Sequence, residues 1–275
     1  MLPCCCNIQA RKIECTEVGK GRQDPAMTHA SSSILRTGCC LLLLAGFIRP
    51  ALAGPPYQAD DPEPTDYRHF EIYTFNKGSF NQAGASGASG IDVNYGAAEN
   101  LQLTAVLPAD FSVPTGGPNL LGLGNVELAA KYRFLRQDSF GLNVSVFPRA
   151  FLPSPSQLGD QHASLLLPVW IEKDWGKVTA FGGGGCQFSF DTWQRTFCMY
   201  GGVVTRQVLD KLQLGVELFH QTSDSSGAPP STTIGLGAKY DIDDHYHLLG
   251  YVADGLQNPR ETGAVSWYAS VLFTF

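Results

Sequence analysis

From residue 67 to the C-terminus, apolar and polar positions alternate in stretches of about ten residues, separated by Gly, Pro, Asp and Asn. No stretch of useful length shows the helical period. The clearest alternation is at Leu212–Phe219, where Leu212, Leu214, Val216 and Leu218 oppose Gln213, Gly215, Glu217 and Phe219. Val126, Leu128, Ala130, Tyr132 and Phe134 oppose Asn125, Glu127, Lys131 and Arg133 in the same way. Ile91, Val93 and Tyr95 oppose Asp92 and Asn94, and Ile234, Leu236, Ala238 and Tyr240 oppose Lys239. Because side chains of a strand point alternately to its two faces, each stretch has one apolar and one polar face.

The pattern predicts twelve strands, near 67–76, 89–96, 100–108, 123–136, 139–150, 162–172, 177–190, 195–207, 211–222, 232–241, 246–255 and 264–275. The predicted connections alternate in length. Short ones fall at 96–99, 137–138, 174–176, 209–210 and 243–244, and longer ones at 77–88, 109–122, 151–161, 223–231 and 256–263. A tight turn around Thr192 is the exception to this beat. Short periplasmic turns and long outer loops are the habit of transmembrane barrels. The last strand, Trp267 to Phe275, is apolar on one face and ends the chain on an aromatic residue. A closed barrel needs such a strand to pair with the first and abolish both edges. The fold class read from this pattern is all-β: a transmembrane, antiparallel, up-and-down β-barrel of about twelve strands.

Composition agrees. The 275 residues carry 30 Gly, 11% aromatics, 16% charged residues and a formal net charge of −6. The mean hydropathy of −0.05 is what alternating lipid-facing and lumen-facing positions average to. Mild acidity without Lys/Arg runs argues against nucleic acid as a partner. The longest apolar run, Cys39–Ile48, follows Arg36 and precedes Ala51-Leu52-Ala53. It is too short for a membrane helix and reads as the core of a cleaved signal peptide, 27–53, with the mature chain starting at Gly54. Residues 1–26, with Cys4, Cys5, Cys6 and Cys15, read as an extension from a start assigned too far upstream. A thiol or metal cluster at Cys4–Cys6 is the alternative, but three adjacent cysteines match no usual zinc spacing. Residues 54–66 form a periplasmic lead-in or plug, and residues 67–275 the barrel.

Several stretches then resemble one family, the outer-membrane transporters grouped as the "MetA-pathway of phenol degradation" family. They are Pro55-Pro56-Tyr57 with Asp60-Asp61-Pro62-Glu63-Pro64, Tyr67–Glu71, Asn94-Tyr95-Gly96, Asn100–Leu103, Gly122–Phe134, Leu167–Gly176, Phe181–Gly185, Leu212–Thr222 and His245–Gly250. Together they cover most of 55–275. The resemblance implies an outer-membrane transport role linked to aromatic catabolism. It implies no substrate, catalytic residue or cofactor. The terminal strand ending at Phe275 is similar to the signal such barrels present to their assembly machinery.

Candidate residues follow from the polar faces. Glu71, Asp92, Glu127, Lys131, Arg133, Arg149, Glu172, Glu217 and Lys239 are assigned to the lumen. They form either an array that selects a passing solute or a ladder of internal salt bridges. Asp60, Asp61 and Glu63 belong to an extended lead-in, or to a plug whose carboxylates meet Lys131 and Arg133. A divalent-cation site there would need ligand spacing that the two prolines do not provide. His220 with Ser223 raises a lipid-modifying hydrolase on the outer wall, but no G-x-S-x-G occurs and a rim histidine is the simpler reading. Gly182–Gly185 lack the strand–loop–helix context of a phosphate cradle and instead make a bend or room for a bulky neighbour. Cys186 and Cys198 stand where aromatic or small residues are expected. They pair across a hairpin if its turn is centred on Thr192, or remain two buried thiols.

The functional expectation is passive uptake of a small, hydrophobic or aromatic solute through an outer-membrane channel, with membrane lipid and the solute as partners. No metal, cofactor, energy-coupling domain or catalytic residue is expected. The alternatives are an outer-membrane lipid-modifying enzyme and a closed structural barrel.

Overall fold

A computed structural model describes residues 56–190 and 195–275. The expected extension, signal peptide and turn at Thr192 lie outside these residues. In chain order the strands are β1 (Phe70–Asn81), β2 (Gly84–Ala98), β3 (Leu101–Pro114), β4 (Leu120–Leu123), β5 (Val126–Leu135), β6 (Asn143–Val146), β7 (Arg149–Leu152) and β8 (Ser164–Trp175). They continue with β9 (Val178–Ser189), β10 (Phe197–Leu209), β11 (Leu212–Gln221), β12 (Ser231–Asp241), β13 (Tyr246–Gln257) and β14 (Val265–Thr274). Two single-turn helices, α1 (Gln137–Phe140) and α2 (Pro259–Thr262), sit in connections. β4 with β5, and β6 with β7, each make one interrupted stave. The result is a closed, antiparallel, twelve-stave barrel.

Closure is made by β1 and β14, in a register running from Glu71↔Thr274 to Phe80↔Val265. Phe70 and Phe275 finish the seam: the Phe70 N–H donates to the Phe275 carbonyl at 2.7 Å, and the Phe275 N–H to the Phe70 carbonyl at 3.1 Å. Their rings stack at 5.5 Å. Neither β1 nor β14 is left as an edge, which is why an apolar terminal strand is tolerated.

The alternation sorts the residues as expected. Leu214, Val216, Leu218, Leu236, Ile91 and Leu128 are exposed on the outer wall, while Glu217, Phe219, Lys239, Asn94, Glu127 and Lys131 are buried inside. On β14, Ser270, Leu272 and Thr274 face in. Tyr132, Phe134, Trp175, Tyr240 and Tyr246 are exposed near the strand ends that carry the short turns, where an interfacial girdle belongs. Leu236 is 61% exposed midway along β12. Leu236→Arg is therefore expected to destabilise the barrel by roughly 2–4 kcal/mol, read as a lowered denaturant midpoint in lipid vesicles. An unchanged midpoint would mean that this face does not meet lipid.

Two expectations are corrected. Residues 77–88 are not a long loop: β1 and β2 run on to a two-residue turn at Gln82–Ala83, and β3 correspondingly reaches Pro114. The Gly/Ala/Ser-rich sequence lacks apolar alternation, yet ladder hydrogen bonds need no side chains. The small residues also make room for large ones. A Cβ at Gly78 would lie 2.6 Å from the Trp267 ring, and one at Gly87 would lie 2.8 Å from Phe111. This turn is thus a second break in the short–long beat. Nor is the fifth stave continuous over 139–150: it divides at Phe147-Pro148, because Pro148 has no N–H for the ladder. The surrounding groups still pair. Phe147 N–H donates to the Pro168 carbonyl and Ala130 N–H to the Pro148 carbonyl, both at 3.1 Å.

Asp243 fastens one short turn, accepting the N–H groups of His245 and Tyr246 at 2.8 and 2.9 Å. The His245 bond foremost holds this exposed carboxyl below the usual carboxylate range. A group lowered by folding stabilises above its ordinary pKa and loses that contribution as pH falls through the folded value. This turn therefore weakens only under acid conditions.

Candidate luminal site

Residues 56–66 enter the barrel from the end that carries the short turns and run up its interior. Near the entrance the Thr65 N–H donates to Gln102 Oε1 at 2.8 Å. Gln102 is itself fixed by Asn94 and Thr104, at 2.7 and 2.9 Å. Glu63 forms an ion pair with Arg133, whose guanidinium is aimed by Asn100 Oδ1 at 2.9 and 3.1 Å. Asn100 sits in the turn between β2 and β3 at φ 64°, a conformation Asn tolerates better than most side chains. Asn143 Nδ2 bridges Glu63, at 2.7 Å, and Glu172, at 3.1 Å. One turn further in, Lys131 Nζ lies 3.0 Å from Asp60 and 3.4 Å from Asp61. Lys131 and Asp61 are almost fully buried, so this ammonium has exchanged water for two carboxylates, the Glu63 carbonyl at 3.3 Å and the Phe147 ring at 5.0 Å. A buried charge is tolerable only with that degree of compensation.

Halfway up, Glu217 receives the segment's backbone. It accepts the Ala59 N–H at 2.7 Å and the Gln58 N–H at 3.3 Å, and the Tyr251 hydroxyl donates to it as well. Gln58 Nε2 donates to Thr233 Oγ1 at 2.9 Å and to the Tyr251 hydroxyl at 3.2 Å. Tyr57 lies flat against the wall where Gly215 of β11 pairs directly with Gly237 of β12. A Cβ at Gly215 would be 2.2 Å from the Tyr57 hydroxyl, and one at Gly237 would be 2.3 Å from its ring. Phe181 and Tyr251 meet the ring edge-on at 5.9 and 5.7 Å. Tyr57, Ala59, Phe147, Trp170, Phe181, Val203 and Phe219 make the principal apolar cluster. Burial, with the Glu217 charge second, pushes the Tyr57 phenol pKa well above its ordinary value, so this hydroxyl stays neutral.

Above the segment is a cavity of about 790 Å³. Tyr73, Phe75, Phe147 and Tyr268 give it aromatic walls, and Glu71, Lys77, Asp92, Asp110, Glu127 and Arg149 line it with charge. Arg149 and Glu127 are paired in a bidentate bond at 2.6 and 2.9 Å. Lys239 stands apart, 3.6 Å from Asp241, which also meets His247 Nδ1 at 2.7 Å. His247 Nε2 in turn lies 3.3 Å from the Thr274 hydroxyl beside the barrel seam.

Of the wall charges named from the sequence, Glu71, Glu127, Lys131, Glu172, Glu217 and Lys239 are buried, Asp92 and Arg149 line the cavity, and Arg133 meets Glu63 of the entering segment. They form no single ladder. Lys131 and Arg133 are paired to the entering segment, Glu127 and Arg149 to each other, and Glu217 to backbone. The sequence reading missed Tyr57, Gln58, Gln102, Asn143, Asp241, His247 and Tyr251. A signal for the Tyr57 slot did exist: two inward glycines at facing positions of adjacent strands leave a gap that something must fill. Among Gly182–Gly185, Gly183 makes room for a wall residue, as its Cβ would lie 3.1 Å from the Trp170 ring.

On the outer wall His220 and Ser223 are not joined. His220 Nδ1 lies 2.8 Å from the Thr232 hydroxyl and its ring packs on Tyr200 at 4.9 Å. The Ser223 hydroxyl donates to backbone carbonyls of its own loop. Cys186 and Cys198 face each other across β9 and β10 and form a disulfide.

Comparison with solved structures gives the same architecture. The barrel superposes on the COG4313 outer membrane channel from Pseudomonas putida F1 with a TM-score of 0.65, at 13% identity over 78% of this chain and 98% of that one. It superposes on the KdgM porin with a TM-score of 0.53, at 10% identity over 74% of this chain and 99% of the porin. For the NanC porin the TM-score is 0.51, at 10% identity over 74% and 98%. No family model matches the sequence, and no curated protein matches it. The likeness is one of fold. That fold and its lipid-facing belt belong to the bacterial outer membrane.

Proposed function

We propose that this chain is an outer-membrane channel for passive, downhill uptake of small hydrophobic or aromatic compounds, and that residues 56–66 are its plug. The observation that carries the reading is the interior itself: an aromatic-walled cavity of about 790 Å³ whose floor is a segment of the chain's own N-terminal region. That floor is held by ion pairs and hydrogen bonds, which can be exchanged for water. The volume suits one small solute. Aromatic faces supply the affinity and the polar groups between them supply orientation. The resemblance to transporters linked to phenol degradation points to the same class of solute. Flux in this reading follows the solute's own gradient.

The test is osmotic swelling of proteoliposomes in phenyl glucoside, an aromatic solute that does not cross bare lipid. The mature chain and a Tyr57→Ala variant are each expected to swell faster than protein-free vesicles, with the variant the faster of the two. Swelling by neither would contradict the channel.

A further inference from the structure

The cavity above the plug has a charge imbalance that the channel reading does not use. Six carboxylates line it against three cations. Asp60, Glu63 and Glu127 are ion-paired, to Lys131, Arg133 and Arg149. Glu71, Asp92 and Asp110 have no cationic group within 4.0 Å among the described residues. Among the described residues, the Glu71 side chain accepts the Tyr73 hydroxyl and the Asp92 side chain the Asn94 amide. Among the described residues, Lys77 is the lining cation without a carboxylate at that distance, and it leaves the balance negative.

The aromatic wall is the second observation. Phe75 and Tyr268 stack nearly parallel, 6.4 Å apart with 10° between their planes, on the neighbouring strands β1 and β14. Lys77 Nζ rests over the Phe75 ring at 5.5 Å. The chain therefore already places an ammonium against this wall. An aromatic face attracts a cation through its quadrupole, and facing carboxylates add a long-range attraction that narrow, low-dielectric walls focus.

From this cavity we infer that the preferred solute is an organic cation, an aromatic ring carrying a protonated amine, rather than an aromatic carboxylate. The ring stacks on Phe75 and Tyr268 and the ammonium faces Asp92 and Asp110. The inference rests on the cavity being the solute path, but its test does not require flux.

Binding to the detergent-solubilised mature chain is measured calorimetrically at pH 8 for three probes of one skeleton: 2-phenylethylammonium, 2-phenylethanol and phenylacetate. The ammonium is expected to bind about tenfold more tightly than the carboxylate, with the alcohol between them. Asp92→Asn with Asp110→Asn is expected to erase the difference. Lys77→Gln is expected to widen it, so a change in each direction guards against a folding artefact. Equal or reversed affinities, an order unchanged in the double variant, or no binding of any probe overturns the inference. Conductance of the same preparation reports the channel reading separately. A conducting chain without charge preference sinks only the inference. A silent chain with the preference sinks only the channel.

Discussion

Replacing Lys131 with alanine is expected to release residues 56–66 from the lumen while leaving the barrel folded. Lys131 is shared by Asp60 and Asp61, at 3.0 and 3.4 Å. Both the ammonium and Asp61 are buried, so removing the cation strands two carboxylates beside each other. Breaking a buried ion pair by deleting one partner costs about 3–5 kcal/mol, much of it the penalty of the charge left behind. That is roughly a hundred- to several-thousandfold shift from docked to undocked segment. The penalty falls on the segment rather than the barrel, because the segment can leave and take its carboxylates into water. Hydrogen exchange at Ala59 and Thr65, whose N–H groups donate to Glu217 and Gln102, should accelerate by that factor. Ladder amides of β11 and β12 should keep their protection. Equal loss of protection in both would show that Lys131 supports the wall, and no change in either would show that the ion pairs contribute little.

Gly237→Val is expected to evict Tyr57. The added carbons fall within the space of the Tyr57 ring, whose Cε1 lies 2.3 Å from an ideal Cβ at this position. Gly237 is held on both sides, to Gly215 and to Tyr251, so the wall cannot retreat. The clash is met by the side chain that can move. Overpacking of this kind costs typically 1–3 kcal/mol when the neighbours yield. Here it is added to the loss of the edge-on contacts to Phe181 and Tyr251. A double-mutant cycle isolates the contact. In a Tyr57→Ala background Gly237→Val should have almost no further effect on protease sensitivity of the segment. Full additivity would mean that Tyr57 does not occupy the two-glycine slot.

The parts legible in the sequence are those where one face must meet lipid. Residues 126–134, 212–219 and 234–240 keep every charge off one face, because a misplaced charge on the outer wall is costly, and their facing follows at once. The closing strand is legible for the same reason, since it packs on both sides of the seam. The first hairpin is not. Its glycines, alanines and serines carry no pattern, and what holds the strands there is backbone pairing and the rings of Trp267 and Phe111 laid over glycine. The split at Phe147-Pro148 needs Pro168 on the neighbouring stave to be seen as a repaired ladder rather than a strand end. Charge complementarity between residues 60–63 and Lys131 with Arg133 can be read from sequence, because few partners exist for buried cations in a barrel. The height at which Tyr57–Ala59 dock cannot. It is set by Glu217 accepting two backbone N–H groups and by a gap between two glycines, and neither leaves a mark in hydrophobicity or charge.

Planar-bilayer conductance of the chain from Gly54 to Phe275, compared with the same barrel starting at Tyr67, tests the central claim most directly. With residues 56–66 seated in the lumen, the longer chain should conduct in small or intermittent steps. The shorter one should conduct steadily and at a higher level, with the same heat-modifiable mobility that reports a folded barrel. Equal conductance in the two would contradict a plug, and silence from both folded barrels would contradict an aqueous channel altogether.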